Sequence, residues 1–326
     1  MTNHYVEDSG GRFRFDYSID FLRWALDVPE QHPEWLVGIR GVEKKNLFAF
    51  ISAIPVTMHV NGEKIQMAEV NFLCSHKKLR SMRIAPVLIQ EITRRVNRQG
   101  IFQAMYTSGT ILPTPVSFAP YWHRNLNPKK LVEVGFSHRP ADVPMSRFVK
   151  MHRLANDSII PNIRPMELRD VPAVTEALNA HLFANYKLHI SYTEDEVKHF
   201  LLPREGVVHA YLVTDKEGKV TDFTSFYNLP SSILNHEKYT QLDAAYGFYS
   251  FTADSKDLDR FNDLIKDALY FAQKNNFDVF NLTEVMQHRH VIDKNQFKAG
   301  DGNLAHYLYN WRIQSLPPSD VGIVLV

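Results

Sequence analysis

The spacing of apolar side chains divides the first half of the chain into strands and helices. Strands are predicted at residues 35–40, 47–54, 56–60, 64–74 and 102–106. Asn61-Gly62 predicts a tight hairpin turn between the third and fourth of these strands. Val87, Leu88, Ile92 and Val96 fall near helical spacing, which predicts one apolar face of a helix over 83–97. A further helix is predicted over 18–26, with Ser18 or Asp20 near its N-cap.

The second half of the chain repeats this pattern. A helix over 170–182 precedes a hairpin that joins 207–214 to 220–227, and 245–252 is a strand. A helix over 258–275 and a strand over 278–282 follow. Because hairpin, strand, helix and strand occur twice, the pattern predicts a duplicated α/β unit. We place the join in 156–165 and expect an N-terminal half at 1–155 and a C-terminal half at 156–326.

Composition restricts the class of protein more than its function. The chain has 326 residues, of which 44% are hydrophobic and 22% charged, and its net charge of +1 gives no global field for nucleic acid. The single cysteine, Cys74, permits no internal disulfide. The longest apolar run, about 47–56, is too short to cross a bilayer, and the first residues do not resemble a signal peptide. These features predict a cytosolic protein.

One strand-to-helix junction, at 69–89, carries the strongest chemical signal. A strand ends at Cys74, a basic loop with Lys77, Lys78 and Arg80 follows, and a helix begins near Arg83. Helix N-termini bind phosphate because they present unpaired N–H groups and a partial positive charge. The junction therefore predicts a site for a polyphosphate ligand.

The corresponding junction of the second half, at 250–257, has a different character. It carries Asp254 and Asp257 and no basic cluster. A pyrophosphate cannot bind there in the same way, so the second half is left to bind another substrate.

The residues of the first junction resemble a known family. The segment 69–77, Glu-Val-Asn-Phe-Leu-Cys-Ser-His-Lys, and its continuation to Ile89 closely resemble the first signature of protein N-myristoyltransferases. Further segments that resemble the family lie at 5–8, 13–18, 50–55, 121–128 and 300–304. The resemblance extends over essentially the whole chain. It implies a mixed α/β (α+β) fold of two fused GNAT-like units with a pseudo-twofold duplication.

The activity that the resemblance implies is transfer of a myristoyl group from myristoyl-CoA to the N-terminal glycine amine of a protein. The backbone N–H groups of Phe72 and Leu73 would form the oxyanion hole. The carboxylate of the last residue, Val326, would be the general base for direct attack, and Asn71 and Thr107 complete the expected catalytic set.

Two binding surfaces are implied by the same resemblance. The acyl-CoA surface comprises Phe72, Leu73, Cys74, Ser75, Arg80, Ser81, Met82, Arg83, Ile84, Ala85 and Pro86. The peptide groove comprises Tyr5, Val6, Asp8, Phe13, Phe15, Asn71, Thr107, Gly109, Tyr121, His123, Phe136, Ser231, Tyr246, Asp301, Gly302 and Leu304.

The expected partners follow from the implied reaction. Myristoyl-CoA is the acyl-donor substrate, and we expect no tightly bound cofactor and no metal. The other partners are proteins or nascent chains with an N-terminal glycine. We expect the chain to be a monomer that acts in the cytosol, near ribosomes or peripherally at membranes. Nucleic-acid binding is not expected, because the basic window lacks interleaved aromatic residues.

Three departures from the family pattern affect these expectations. The family's N-terminal segment, with a Phe-Trp element that covers the acyl-CoA, has no counterpart before Tyr5. An alternative is therefore a truncated, catalytically impaired peptide-binding isoform or fragment. The acidic loop is reduced to Glu7-Asp8, which predicts a weaker preference for lysine in the substrate. Lys298 stands where the family usually has glycine, and we expect it to tighten a turn that needs φ > 0.

Three site residues also have simple structural interpretations. Cys74 has no paired histidine nearby and is expected to be a buried strand residue rather than a nucleophile. From its position between Trp122 and Arg124 alone, His123 is better explained as a structural histidine, and the resemblance makes a substrate contact equally acceptable. The apolar tail ending at Val326 could be only an edge strand.

Overall fold

The computed structural model of the protein describes His4, Tyr5, Glu7, Asp8 and residues 10–324. The elements of the first half are β1 (Phe13–Phe15), α1 (Ile19–Leu26), β2 (Leu36–Arg40), β3 (Leu47–Val60), β4 (Glu63–Ser75), α2 (Ile84–Asn97), β5 (Ala104–Ser108), β6 (Ser117–Asn125), α3 (Pro128–Glu133) and α4 (Met145–Met151).

The second half has more elements, because short strands flank its main hairpin. They are β7 (Arg164–Pro165), α5 (Val171–Asn185), β8 (Leu188–Ile190), α6 (Glu194–Leu201), β9 (Val208–Thr214), β10 (Val220–Asn228), β11 (Ser231–Ile233), β12 (Gln241–Leu242), β13 (Ala244–Thr252), α7 (Leu258–Lys274), β14 (Val279–Thr283), α8 (Arg289–Ile292), β15 (Lys298–Tyr309) and β16 (Val321–Gly322). Short 3₁₀ helices lie at Pro33–Trp35, Lys77–Met82, Leu168–Asp170 and Pro318–Asp320.

One large sheet runs through both halves. Within the described residues it has thirteen strands, in the order β16-β8-β3-β4-β5-β15-β6-β14-β13-β10-β9-β7, with β2 paired to β3. A small second sheet has the order β1-β11-β12. Both halves contain a parallel pair connected through a helix: β4 with β5 through α2, and β13 with β14 through α7.

The sheet order shows both a duplication and an exchange of strands. Apart from β16, β8 and β7 at its two ends, the sheet consists of two runs of five strands that meet at its centre. The run β2-β3-β4-β5-β15 on one side corresponds to the run β9-β10-β13-β14-β6 on the other. Strand β15 of the second half pairs with β5 of the first, and β6 of the first half pairs with β14 of the second. The predicted mixed α/β fold with a pseudo-twofold duplication is confirmed, whereas the boundary between residues 155 and 156 stays a prediction.

Local sequence explains the main turns and helix starts. Asn61 and Gly62 adopt φ of 50° and 87°, the left-handed conformation that a two-residue hairpin turn requires. The Ser18 hydroxyl accepts a hydrogen bond from the N–H of Phe21 at 3.0 Å and so caps α1. Both features agree with the sequence-based prediction.

Strand β3 is longer than predicted, because it continues through Pro55. Pro55 pairs with Ala68 of β4. On its other edge, β3 pairs with β2 as far as Ser52 and with β8 only from Met58. Pro55 lies in the gap between these two partners, where the strand tolerates the missing N–H. The predicted break between residues 54 and 56 was therefore wrong.

The predicted apolar face of α2 was correct except at one position. Leu88, Ile92 and Val96 are buried against the sheet, in one cluster with Trp35 and Ile51. Val87 is 56% exposed. It precedes Leu88 by one residue, a rotation of about 100° that turns it away from the sheet.

The largest apolar cluster joins the two halves. Trp24 of α1 is fully buried and contacts aromatic rings of the second half, including Phe200 and Phe248. A separate cluster lies under α7, where Phe261 and Ile265 pack with Phe226 and Phe280. The largest cluster is therefore shared between the halves, whereas the cluster under α2 lies within the first half. Within the described ranges, every helix is too short or too polar to cross a membrane.

A buried carboxylate also connects the halves. Asp278, beside β14, accepts hydrogen bonds from Lys130 Nζ at 2.5 Å, Asn127 Nδ2 at 2.9 Å and the N–H of Asp243 at 3.0 Å. The side chains of Asp278 and Lys130 are only 5% and 15% exposed. Removing the carboxylate would leave a largely buried ammonium group with only the more distant Asp243 carboxylate, at 3.9 Å, as its acidic partner among the described residues.

We expect Asp278→Ala to lower the free energy of unfolding by about 3–5 kcal/mol, measured by urea denaturation. Lys129→Ala is the matched control, because Lys129 pairs with Glu133 at 3.9 Å and is 62% exposed. Its effect should stay below about 1 kcal/mol. Similar stabilities for the two variants would contradict the assigned role of Asp278.

Candidate active site

Strand β4 contains a bulge at the two residues predicted to form the oxyanion hole. Phe50 pairs with Cys74 and Ser52 pairs with Asn71, so Ile51 alone faces Phe72 and Leu73. Phe72 has φ of 57°, a left-handed conformation that costs a non-glycine residue roughly 1–2 kcal/mol. A bulge leaves its extra residue unpaired in the ladder. Backbone polar groups of Phe72 and Leu73, the predicted oxyanion-hole residues, are therefore left free of the regular pairing between β3 and β4.

The basic loop after β4 leads into an uncapped helix N-terminus. The loop forms the 3₁₀ helix Lys77–Met82, and Arg83 then turns into α2 with φ of 55°. No side chain caps α2, and its first turn contains no acidic residue. By contrast, Asp257 caps α7 by accepting from the N–H of Arg260 at 2.9 Å. Only the first junction thus presents a free positive helix end with neighbouring cations.

The residues before β1 lie over this basic loop. Glu7 Oε1 accepts from Lys77 Nζ at 2.6 Å and also bonds the Arg14 guanidinium. These hydrogen bonds, first from Lys77 and then from Arg14, lower the pKa of Glu7. Arg80 Nη2 donates to the carbonyl of His4 at 2.8 Å. Glu7 is therefore already engaged by cations of the chain itself.

Asp8 is used to form a turn. Its carboxylate accepts hydrogen bonds from the backbone N–H groups of Gly10, Arg12 and Phe13 at 3.1, 2.7 and 2.7 Å. Both residues of the shortened acidic loop thus have internal partners. This is consistent with the expected weaker preference for a substrate lysine, which stays a prediction.

An aromatic cluster lies directly beside the bulge. The ring of Tyr17 contacts Phe72 and Tyr5, both with centroids 5.3 Å apart, and lies 6.0 Å from Phe15. Tyr246 continues the cluster to Tyr121 at 6.4 Å. Burial raises the pKa of Tyr5 and of Tyr121 to about 12, so both phenols are neutral. The cluster forms an uncharged wall next to the predicted oxyanion donors.

His123 lies at the other end of this wall and is fixed by one residue from each half. Its Nδ1 lies 2.6 Å from Asn281 Oδ1, and its ring packs edge-on against Phe136 at 5.2 Å. Burial lowers the pKa of His123. Beside it, Gly300, Asp301 and Gly302 of β15 bulge opposite the single residue Tyr121 of β6.

Glu69 and Asn71 connect the bulge to the end of the described chain. Asn71 Nδ2 donates to Glu69 Oε1 at 2.5 Å, and burial raises the pKa of Glu69 to about 7. Glu69 lines a small cavity of about 20 Å³ together with Tyr192 and Val324. The C-terminal segment therefore reaches the residue that holds Asn71.

The structure brings most of the predicted peptide-groove residues together. Phe15 pairs with Ser231, Phe13 packs on Phe136, and Gly302 lies against Tyr121. Thr107 and Gly109 belong to a neighbouring stretch, where Thr107 pairs with His306 and Leu304 pairs with Ala119. Val6 and Val326 lie outside the described residues.

The predicted acyl-CoA residues form one continuous path. Cys74 and Ser75 end β4, Arg80, Ser81 and Met82 lie in the 3₁₀ helix, and Arg83 leads to Ile84, Ala85 and Pro86 in the first turn of α2. Cys74 is buried, and this burial raises the pKa of its thiol. Both facts agree with a packing role for Cys74 rather than a nucleophilic one.

The expectation for Lys298 was wrong. Lys298 lies in β15, paired with His123, and is not among the described residues with positive φ. The left-handed residue in this stretch is Gln296, with φ of 58°. Gly300 is required for a different reason: a Cβ there would lie 2.1 Å from His123 Nε2.

Comparisons with known proteins agree with this geometry. The family profile "Myristoyl-CoA:protein N-myristoyltransferase, N-terminal domain" matches residues 1–119, and the corresponding C-terminal domain profile matches residues 133–324. Glycylpeptide N-tetradecanoyltransferase 1 of Arabidopsis thaliana is 48% identical over all of this chain and 74% of its own length. Glycylpeptide N-tetradecanoyltransferase 2 of Danio rerio is 47% identical, with 65% of its length covered.

A solved structure gives the same result. Saccharomyces cerevisiae N-myristoyltransferase with bound myristoyl-CoA superposes with a TM-score of 0.94 at 37% identity, over 100% of this chain and 80% of that one. The chain belongs to the N-myristoyltransferase family. The resemblance read from the sequence is thereby confirmed, as are the acyltransferase class and the mixed α/β fold, whereas the description of its units as GNAT-like stays a prediction.

Three residues of this candidate N-myristoyltransferase site were not predicted from the sequence. Tyr17 continues the alternation of Phe13 and Phe15, a signal that would have identified it. Glu69 is an acid between the apolar residues Ala68 and Val70, which was a weaker signal. Asn281 gave no signal, because only the pairing of β14 with β6 places it opposite His123.

We expect Gly300→Ala to displace the His123 imidazole and break its bond to Asn281. Overpacking of this kind should lower the free energy of unfolding by about 1–3 kcal/mol, measured by urea denaturation. Gly302→Ala is the matched control, because its Cβ would meet Tyr121 Cδ2 at 3.4 Å, an ordinary contact. An unchanged His123 imidazole NMR signal in Gly300→Ala would contradict the prediction.

Proposed function

We propose that this chain transfers the myristoyl group of myristoyl-CoA to the N-terminal glycine amine of a protein by direct attack. The observation that carries the proposal is the β4 bulge at Phe72 and Leu73, which stands immediately before the uncapped, cation-flanked N-terminus of α2. The likeness to a family member with bound myristoyl-CoA supports the same ligand.

The acyl donor binds along the path from β4 to α2. Its phosphates lie at the α2 N-terminus, where the free N–H groups and the Arg80 and Arg83 guanidiniums supply positive charge. The exposed apolar side chains of Leu73 and Met82, 40% and 66% accessible, offer contact area to the pantetheine portion. The thioester then lies next to the bulge.

The bulge stabilises the oxyanion that forms on attack. The N–H groups of Phe72 and Leu73 donate to the thioester oxygen as its negative charge develops. Donors held by a sheet need no reorganisation during the reaction, and the buried aromatic wall around Tyr17 excludes water from them. No enzyme nucleophile takes part, in agreement with the buried Cys74.

The carboxylate of Val326 takes the proton of the glycine amine. Support comes from the described part of the tail: Ile323 and Val324 are buried, and Val324 lines the cavity beside Glu69. Glu69 in turn holds Asn71, the residue before the bulge. A terminal carboxylate in such surroundings would pair well with the substrate ammonium, because buried charges require partners.

The peptide follows the aromatic wall towards His123. Tyr121, Tyr246 and Phe15 form a narrow uncharged slot that suits a residue without a side chain. Thr107, together with Asn71, orients the attacking amine. The expected monomeric state, cytosolic location and association with ribosomes or membranes remain predictions.

The main test is mass spectrometry of a glycine-starting peptide incubated with the purified chain and myristoyl-CoA. We expect a product heavier by one myristoyl group. The variant Arg80→Ala/Arg83→Ala should raise KM for myristoyl-CoA about tenfold or more, because two phosphate-binding cations are lost, with a smaller change in kcat. Absence of product from the wild-type chain at high concentration would refute the transferase activity.

The matched control for the arginine variant is Arg94→Ala/Arg98→Ala. Both of its residues are exposed and lie near the far end of the same helix. It removes the same charge, and its KM should stay close to that of the wild type. An equal rise in KM for both variants would show that only long-range charge matters.

Deletion of Leu325 and Val326 tests the proposed base. We expect kcat to fall at least about a hundredfold, since general base catalysis contributes factors of this size. Val326→Ala keeps the chain length and the terminal carboxylate and should remain active. Turnover by the deletion variant at the wild-type rate, with folding verified by circular dichroism, would eliminate the terminal carboxylate as base.

A further inference from the structure

A polar cavity lies outside the candidate active site, between the segment 153–159, helix α7 and the segment 294–296. Its volume is about 170 Å³. Six charged residues line it: Arg124, Arg153, Lys266, Lys294, Asp157 and Asp267. None of its lining residues is aromatic. Its chemistry is therefore that of an ion site rather than of a pocket for a nucleotide base or an acyl chain.

Arg124 is the unusual residue of this cavity. It is 3% exposed, and its guanidinium donates only to carbonyls, from Nη1 to Asn125 at 3.0 Å and from Nη2 to His152 at 3.2 Å. Its Nε has no hydrogen-bond partner, and no carboxylate among the described residues forms an ion pair with it. Burial lowers the pKa of Arg124 to about 10. A buried cation without a counter-charge is costly.

The carboxylates of the cavity do not supply this counter-charge. Asp267 accepts one hydrogen bond at each oxygen, from the N–H groups of Ile159 at 2.6 Å and Ile160 at 2.9 Å, and among the described residues it forms no ion pair with Arg124 or Arg153. Asp157 is exposed at the rim. Two guanidiniums, Arg124 and Arg153, therefore remain without an acidic partner in the described part of the chain.

The two lysines have acidic partners that do not line the cavity. Lys266 bonds Asp263 at 2.8 Å and Lys294 bonds Asp259 at 3.0 Å. Both ion pairs are partly exposed, which makes them weak and easily rearranged towards a stronger ligand. The lining therefore offers cationic groups, although the acids that line it and pair with its lysines equal them in number.

We propose that this cavity binds a small tetrahedral oxyanion, inorganic phosphate or sulfate. Guanidinium groups match the oxygen spacing of these ions and bind them through charge-assisted hydrogen bonds. The volume is well above the roughly 10–15 Å³ that a cavity needs to hold a single water molecule, so one such ion fits. The bound ion neutralises Arg124 and joins the segment after α4 to α7.

The test is calorimetric titration of inorganic phosphate at constant ionic strength, with sodium chloride as the baseline. Every protein in this series carries Arg80→Ala/Arg83→Ala, which weakens the proposed acyl-donor phosphate site. In that background, Arg153→Ala/Lys294→Ala should weaken phosphate binding at least about tenfold. Both residues are exposed, so the fold should tolerate their removal.

Arg312→Ala/Lys256→Ala is the matched control. Arg312 and Lys256 are exposed and do not line the cavity. Replacing both removes the same charge as the cavity variant does. The control should bind phosphate as tightly as the parent protein. No binding above the chloride baseline, or equal affinities in the cavity and control variants, would overturn the proposal.

A second variant addresses Arg124 itself. Arg124→Met removes the charge but keeps much of the volume, and it should abolish phosphate binding if it folds. Parallel titrations with sulfate and with phenyl phosphate distinguish the source of the ligand. Phosphate and sulfate binding without phenyl phosphate binding supports a free ion, whereas tight binding of phenyl phosphate supports a phosphate group on a larger molecule.

Discussion

Strands β6 and β15 each complete the sheet of the half to which they do not belong in sequence. β15 pairs with β5, β6 pairs with β14, and the two pair with each other at the centre. Each half would otherwise end in an unpaired edge strand, whose exposed backbone groups cost free energy. The exchange also brings Tyr121 and His123 of β6 next to Asp301 and Gly302 of β15. The proposed peptide groove depends on this exchange.

The same duplication produced two junctions with different chemistry. In both, a strand leads through a loop to a helix that returns to a parallel strand. At α7 the capping carboxylate of Asp257 already satisfies a free N–H group and neutralises the helix end. At α2 no side chain caps the helix, and the nearby charges are cationic. A few side chains therefore decide which of the two helix N-termini is free for the proposed contact with the acyl-donor phosphates.

The aromatic part of the site, from Tyr17 to His123, consists of neutral, half-buried groups rather than of charges. Burial raises the pKa of the tyrosines around Tyr17 and lowers that of His123, so all of them are uncharged near neutral pH. A carboxylate or an ammonium group placed among them would find few competing charges and little water. Electrostatic interactions formed there are stronger than the same interactions at the surface.

Much of this molecule is encoded locally. The cap at Ser18, the Asn61-Gly62 turn, the helix at α2 and the basic loop depend on residues close together in the chain, and the sequence predicted all of them. Segment order alone indicated the duplication. The resemblance at 69–89 selected the family, because it involves consecutive residues.

The features that only the tertiary structure decided all depend on partners distant in sequence. Phe72 is left-handed because β3 offers one residue opposite two, and Pro55 is tolerated because β2 and β8 leave a gap beside it. His123 is held by Asn281, 158 positions away. Within the described part of the chain, Arg124 lacks an acidic partner because the groups that the fold places around its guanidinium are backbone carbonyls. Local sequence patterns reflect secondary-structure propensity and residue spacing. Strand register and side-chain burial are set only when strands distant in sequence have paired in the folded chain.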